Sequence, residues 1–136
     1  MTDAYLDTLL EDQFGASSGH AFYLGLISST GYTGVDKAND TMASHTGWSE
    51  VTAVTATRPL WSPGAATGQE ITNPTPAAFL PTADGEAVGF FVTTDATTGG
   101  VGGTLVDMVL FNEPAGLYAG ETFQVTWVNV ARDIGN

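Results

Sequence analysis

The period of the hydrophobic residues changes once along this chain, and that change constrains the fold more than any other feature. In residues 3–14 the apolar side chains recur at i, i+3 and i+4 spacing, which places them on one helix face; they are Tyr5, Leu6, Leu9, Leu10 and Phe14. From Ala21 onward the apolar residues form short runs or alternate with polar ones, which is typical of β-strands. We therefore expect one short helix followed by strands.

The predicted helix has signals at both ends. Thr2 or Asp3 can cap its N-terminus, and Gly15 is placed to end it in a left-handed conformation. Glu11 and Asp12 lie near its C-terminus, where acidic groups oppose the helix dipole. Because a helix this short does not stand alone in water, we expect its apolar face to dock on a sheet or on a partner.

Six to eight short strands, separated by Gly and Pro turns, are predicted after the helix; the segments are 21–28, 48–57, 70–73, 77–80, 86–93, 104–112 and 121–131. Threonine favours strands and glycine marks turns, and both are abundant, whereas Lys, Glu, Gln and Arg are scarce. The predicted fold class is mainly β: an antiparallel β-sandwich, jelly-roll or Ig-like, with one short N-terminal α-helix. We predict a single domain over residues 1–136, with a helical segment 1–15 and a sandwich 16–136. The expected core contains Phe22, Leu24, Leu26, Phe91, Val109, Phe111, Phe123, Val125 and Trp127.

The charge of the chain excludes several kinds of partner. Fifteen Asp and Glu residues face three Lys and Arg residues, which gives a formal net charge of −12. Binding to nucleic acid or to an anionic membrane surface requires clustered cations, so we expect neither. No apolar run reaches the length of a membrane span, and no basic segment precedes one, so we expect neither a transmembrane helix nor a signal peptide. The absence of cysteine excludes disulfides and thiolate chemistry.

Few residues are suited to catalysis. The imidazoles are His20 and His45, and Ser17 and Ser18 precede His20, but neighbours in sequence do not make a catalytic dyad. Asp107 stands among apolar residues and could point inward, where a hydrogen-bonded or interfacial role is favoured over a catalytic one. We therefore predict that the protein is not an enzyme and holds no cofactor.

Two loops are long or Gly-rich enough to be considered for ligand binding. Segment 29–47 has no convincing period and is too long for a simple connection, which indicates a functional or partner-ordered loop. Its acidic part, residues 36–40, lacks EF-hand spacing, so a solvated loop is favoured over a calcium site and no metal is assigned. The Gly-rich run 97–103 lacks the ending of a phosphate-binding loop and is predicted to be a flexible hairpin loop.

The aromatic residues allow a second kind of binding site. Core or interface packing is favoured for them over sugar binding. Trp61, in the Pro-bounded segment RPLWSP, is the best candidate for a contact residue. A sugar-stacking platform would draw on Trp48, Trp61 and Trp127 with Tyr23, Tyr32 and Tyr118.

Several short motifs follow one another in a distinctive order: LDTLLEDQFGA, AFYLGLISSTG, TGWSEV, ITNPTPAAFLPTADGEAVGFFVTTDATTGG and YAGETFQVTW. In this order they resemble a family of small structural proteins of tailed bacteriophages, which includes tail-fibre-like and other virion proteins. The resemblance extends from about Ala4 to Trp127, and hairpin 88–100 is its most distinctive part. Loop 29–47 is longer than the family pattern.

The resemblance implies an oligomeric virion surface component built as a β-sandwich. A capsid decoration (cement) protein is favoured, because the chain lacks the repetitive shaft and the heptads of a trimeric fibre. The alternative is a tail fibre or baseplate module that binds a host surface glycan. The expected partners are the major capsid protein and further copies of the chain in a homotrimer, with no nucleic acid and no membrane. The expected location is the outer surface of the head, after synthesis in the host cytoplasm.

Charge constrains how such a trimer is built. Three chains of net charge −12 repel each other unless apolar edges meet and acidic faces stay in solvent. Gly-rich and aromatic stretches are therefore the expected contacts, with Arg58 paired to an acid of a neighbouring chain. The residues predicted for this partner or self-association interface are Tyr5, Leu9, Tyr32, Trp48, Arg58 and Trp61.

Overall fold

The computed structural model describes residues 2–130, and within them the chain is mainly β with one short N-terminal helix. Helix α1 spans Asp3–Phe14; the strands are β1 Tyr23–Ser28, β2 Glu70–Thr72, β3 Ala77–Phe79, β4 Gly85–Thr93, β5 Leu105–Leu117, β6 Phe123–Val125 and β7 Val128–Val130. The strand pairs β1–β4, β4–β5 and β2–β7 are antiparallel. The predicted fold class is confirmed, and the strand-rich arrangement is consistent with a β-sandwich.

The strands form three sheets. The largest has the order β1-β4-β5, and two smaller sheets pair β2 with β7 and β3 with β6. The described residues divide into two compact units, of which the first comprises 2–21, 61–77 and 125–130 and the second 22–60 and 78–124. That the whole chain forms one domain stays a prediction.

Helix α1 has the predicted bounds. Thr2 is its N-cap, because the Thr2 hydroxyl accepts a hydrogen bond from the amide of Tyr5 at 3.3 Å. Leu6 and Leu10 are its buried residues. The left-handed residue expected at Gly15 is wrong: Gly15 has an extended backbone with φ −65°, and its N–H still donates to the carbonyl of Glu11.

The acidic residues of α1 have a structural use that the sequence did not reveal. The carboxylates of Asp7 and Glu11 accept hydrogen bonds from the amides of Gln69 and Ala66. These bonds anchor the helix to the turn that leads into β2. The C-terminal end of a helix is unfavourable for an acidic group, and Glu11 near that end of α1 makes a tertiary contact with Ala66.

The three-stranded sheet of the second unit is packed on both faces. Leu24, Leu26 and Phe91 are almost fully buried, as predicted, and Gly25 is required beneath Phe91 because a Cβ at Gly25 would overlap its ring. Phe22 is also buried in the second unit, and Val125 and Trp127 are buried in the first. The other three expected core residues, Val109, Phe111 and Phe123, are only partly buried.

The partial burial of Val109 and Phe111 follows from the position of β5. β5 pairs with β4 on one side and is the edge strand of its sheet, so its side chains are covered less completely than those of the central strand. The rings of Phe90, Phe111 and Phe123 follow one another at centroid distances of 6.2 and 6.0 Å. They form a partly exposed aromatic row beside the core.

Three strand predictions need correction. Segment 48–57 is not a strand: its isolated bridges join Glu50, Val54 and Thr57 to three different partners, so no continuous ladder forms. β5 continues to Leu117 through Pro114, where a turn was expected. Ala87 pairs with Ala115 and Gly89 pairs with Leu110, so residues 111–114 of β5 lie outside the ladder. Pro114 is tolerated there because its missing N–H removes no ladder hydrogen bond.

The third correction concerns segment 121–131, of which residue 131 lies outside the described residues. It is two short strands, β6 and β7, because the intervening backbone bonds to side chains. The amide of Trp127 donates to Asn73, and its carbonyl accepts from Trp61 and Thr72.

Candidate functional site

A buried ionic cluster organises the loops of the second unit. Arg58 donates from Nε and Nη2 to the two carboxylate oxygens of Glu50, at 2.9 and 2.7 Å. Its remaining donors reach the carbonyls of Asp95 and Gly100 at 2.7 and 2.9 Å, and its guanidinium lies 5.2 Å from the centroid of Phe91. Glu50 also accepts from the amide of Gly99.

This cluster changes the interpretation of Arg58. The cation expected to pair with an acid of a neighbouring chain is 2% exposed, and its donors bond to groups of its own chain. Its partners fix the 97–103 run against segment 49–58, where Thr98 also donates to the carbonyl of Thr55 at 2.8 Å. The loop predicted to be flexible is therefore anchored at several points.

Loop 29–47 makes several contacts within its own unit. Asp36 accepts from the amides of Ala38 and Asn39 and from the Asn39 side chain. Those bonds, led by the Asn39 side chain, lower the pKa of Asp36 from its ordinary value. Asp40 in turn accepts from the indole of Trp48 at 3.0 Å.

The same loop covers one face of the three-stranded sheet. Met42 and Trp48 are buried with Ile27, Phe91 and Met108 in one hydrophobic cluster. The imidazole of His45 stacks on Trp48 with the ring centroids 3.8 Å apart and the planes 9° from parallel. Its Nδ1 hydrogen-bonds to the carbonyl of Thr41 at 2.8 Å, so that His45 is a packing residue of the loop. Tyr32 packs against the same cluster and is partly buried.

In the first unit, Asn73 holds two tryptophans. Its side-chain oxygen accepts from the indole of Trp61 and from the amide of Trp127, both at 3.0 Å, and its nitrogen donates to the carbonyls of Thr75 and Val125. Phe14 meets both indoles edge-on, at 6.3 and 5.7 Å. Trp61 is therefore a core residue of its unit rather than the exposed contact that was expected.

The burial of the three indoles also bears on whether they can stack on a sugar. Trp48, Trp61 and Trp127 are exposed by 5% or less, whereas stacking a sugar requires an open ring face. The three tryptophans are therefore packed in the interior, in line with the core or interface role favoured for the aromatic residues, and they do not form the less favoured sugar platform. Of the residues predicted for an interface, Tyr5 and Leu9 are the two that lie on the surface, at 51% and 37% exposure.

The candidate acid Asp107 and the candidate base His20 each make contacts within their own unit. Asp107 is half-buried and faces Lys37, with 3.4 Å between Nζ and Oδ1, which is the hydrogen-bonded role favoured for it. His20 lies in the turn before β1, where its amide donates to the hydroxyl of Ser18. Within residues 2–130 no three His, Asp or Glu side chains are grouped to hold a metal ion. The helix in that part of the chain is too short and too polar to cross a bilayer.

A surface that sequence reasoning missed lies along β5. On one side, residues 105–110 pair with β4; in residues 2–130 no strand or bridge pairs with the other side. Val106 and Leu110, on this edge strand, are 37% and 46% exposed. The alternation of TLVDMVLF indicated the strand but not its position in the sheet; Pro114 was a signal for an edge strand or a bulge, because proline is found at such places in sheets.

A cavity of about 190 Å³ adjoins the beginning of this edge. It is lined by Lys37, Asp40 and the first part of β5, Leu105, Val106, Asp107 and Met108. Its charged groups are two carboxylates and one ammonium, of which Lys37 is largely exposed. The candidate functional surface of the second unit is this cavity together with the open edge of β5, called the β5 edge below.

Comparison of the chain with protein-family models, curated proteins and solved structures finds no match. The resemblance to phage virion proteins therefore stays a prediction from the motifs, and the assignment of function depends on the surface just described.

Proposed function

We propose that this chain is a structural protein of a bacteriophage virion, a capsid decoration protein that binds the outside of the head and stabilises contacts between capsid subunits. The observation that carries this proposal is the β5 edge: among residues 2–130 no strand pairs with the outer side of β5, and Val106 and Leu110 of this strand are exposed. An exposed apolar edge is a template for pairing with another chain. Decoration of a capsid requires such a contact and no chemical step.

The interior of the chain supports a role as a rigid binding module. Arg58 and Asn73 each bond to several groups of their own unit and hold loops and strand ends in place. Fixed loops reduce the entropy lost on binding. The order of the motifs, which resembles that of phage virion proteins, supports the same proposal.

The proposed assembly is a homotrimer seated on the major capsid protein. Several copies around one symmetry axis increase the strength of attachment through avidity. Tyr5 and Leu9, which remain exposed on α1, are the proposed self-association residues. Because each chain carries a net charge of −12, higher salt should favour the trimer by screening repulsion between copies.

The test uses particles of the phage that encodes the chain. Antibody against the chain, viewed by negative-stain microscopy, should label heads, and heads lacking the chain should lose their DNA at a lower temperature than complete ones. Labelling of tail tips would instead support the alternative, a tail fibre or baseplate module for a host glycan. Unlabelled particles, or heads of equal heat resistance with and without the chain, would contradict the proposal.

A further inference from the structure

We propose that residues 35–46 form a flap that opens as a unit about a closed base and uncovers an apolar cluster while the three-stranded sheet stays folded. The segment 35–46 is called the flap below. The cluster consists of Met42, which belongs to the flap, and of Ile27, Trp48, Phe91 and Met108. The inference concerns a motion within the second unit and does not depend on the proposed function.

The two ends of the flap are held together at its base. The amides of Thr33 and Gly34 both donate to the carbonyl of Gly47, at 2.8 and 3.2 Å. A Cβ at Gly47 would overlap the carbonyl of Gly34, so the two chain segments approach more closely than another residue allows. Beyond the base, the amide of Ser28 donates to the carbonyl of Ser49 and fixes the chain to β1. The flap is therefore a compact loop of the Ω type, whose base can stay closed while the loop moves.

The hydrogen bonds of the flap are mostly internal. In the described part of the chain, its backbone–backbone bonds form two turns, one closed on the carbonyl of Asp36 and one between Thr41 and Ser44. The side chains of Asp36 and His45 also bond to groups of the flap. A segment that carries its own hydrogen bonds keeps them when it moves as a unit.

The polar contacts that tie the flap to the rest of the unit involve side chains. Among the residues that the structure describes, they are the hydrogen bond from the Trp48 indole to Asp40 and the salt bridge between Lys37 and Asp107. The stacking of His45 on Trp48 adds a ring contact. The side chain of Lys37 is 66% exposed, and exposed ion pairs contribute little to stability.

The Gly-rich loop 97–103 of the same unit is held differently. The amide of Thr98 donates to the carbonyl of Ala56 at 2.9 Å, and its hydroxyl donates to the carbonyl of Thr55 at 2.8 Å. Backbone anchors of this kind oppose local opening, because each would lose its partner. The flap has no such anchor among residues 2–130.

Apolar packing is what closes the flap. Met42 is 3% exposed, and Val35 packs against the same cluster. Met42 also lines two cavities of about 200 and 240 Å³, so part of its surface lacks close contacts that would be lost on moving. Methionine is unbranched and adapts to irregular space. A region with few anchors opens at a lower cost in free energy than the whole fold, and here that region is the flap.

The experiment uses single cysteines as probes of burial, because the chain contains none. A buried thiol reacts with the disulfide reagent DTNB only when the structure around it opens. Met42→Cys places a thiol on the flap, Met108→Cys places one on β5 in the same cluster, and Val92→Cys, at a fully buried position of β4, is the matched control. Without denaturant, both cluster thiols should be labelled about 100-fold faster than the control thiol, or more.

Urea separates opening of the flap from unfolding of the unit. The urea dependence of labelling scales with the surface exposed, so it should be steep for Val92→Cys and less than about half as steep for the two cluster positions. Equal urea dependence at all three positions would overturn the inference, because the cluster would open only when the unit unfolds. Weak dependence at only one of the two cluster positions would also overturn it, since the flap and the sheet would not separate together. Circular dichroism shows that each variant is folded, and if Met42→Cys is not, Met108→Cys decides alone.

Discussion

Arg58 and Glu50 form a bidentate ion pair inside the second unit, with both carboxylate oxygens of Glu50 bonded to the guanidinium at 2.9 and 2.7 Å. Their side chains are 1% and 10% exposed, so neither charge is solvated by bulk water. Since the guanidinium also binds the carbonyls of Asp95 and Gly100, the pair connects segment 49–58 with the loop after β4.

Replacing Arg58 with Met should therefore destabilise the chain by about 3–5 kcal/mol, because Glu50 would remain as an unpaired buried charge. Urea unfolding followed by far-UV circular dichroism measures the loss. Replacing both residues, Arg58→Met with Glu50→Gln, should cost less than the sum of the two single changes. Lys37→Met, which breaks the exposed pair with Asp107, is the control and should change stability by about 1 kcal/mol or less. Equal losses for Arg58→Met and Lys37→Met would contradict the importance assigned to the buried pair.

Asn73 gives a second test, in the first unit. Asn73→Ala removes the acceptor of the Trp127 amide and the donor to two carbonyls, so that buried polar groups are left without partners. A loss of about 2–3 kcal/mol is expected from such unsatisfied groups. Tryptophan fluorescence during urea unfolding measures it, and Asn112→Ala, at an exposed position of β5, serves as the control. If both variants unfold at the same urea concentration, the network around Asn73 does not stabilise its unit.

The parts of the fold that depend on local pattern were predictable. The i, i+3, i+4 spacing gave the bounds of α1, and the run EAVGFFVT gave most of β4. Segment 48–57 shows the limit of this reasoning. Its weak alternation indicated a strand, but its backbone bonds successively to separate segments because Arg58 and Glu50 draw it toward the loop after β4. Such long-range bonds leave no periodic signal in the sequence.

The candidate site was harder to predict than the fold. Aromatic residues and a cation were expected at an interface because these residue types are frequent there. The same types also fill cores, and here Trp48, Trp61 and Arg58 are buried. The β5 edge depends on the order of strands in the sheet, and strand order follows from tertiary packing rather than from the residues of β5.

The two leucines in the middle of α1 should respond differently to truncation. Helical spacing places Leu9 and Leu10 in one apolar group, but Leu10 is 5% exposed and Leu9 is 37% exposed. Leu10→Ala should cost about 2–5 kcal/mol because it opens a cavity. Leu9→Ala should cost about 1 kcal/mol or less, because that side chain is already partly in water. Thermal unfolding of the two variants separates these outcomes. A larger loss of stability for Leu9→Ala than for Leu10→Ala would contradict the orientation of α1 in which Leu10 is the buried residue.

The carboxyl of Asp36 should titrate below its ordinary value. The pKa of Asp36 is lowered from 3.8, first by the hydrogen bond from the Asn39 side chain and then by the Ala38 amide. A carboxyl whose pKa is lower in the folded than in the unfolded chain stabilises the fold above the unfolded value, and this contribution is lost as the pH falls through the folded value. The turn at residues 36–39 should therefore be stabilised by the ionised Asp36 at neutral pH and lose that contribution in acid, as the pH falls below 3.8 and through the lower folded value. Carbon-13 NMR titration of the Asp36 carboxyl measures the shift directly. Asn39→Ala should raise the pKa of Asp36 toward the ordinary value, whereas Asn112→Ala should leave its titration unchanged. An Asp36 midpoint that does not move in the Asn39 variant would show that the side-chain hydrogen bond does not stabilise the ionised carboxylate.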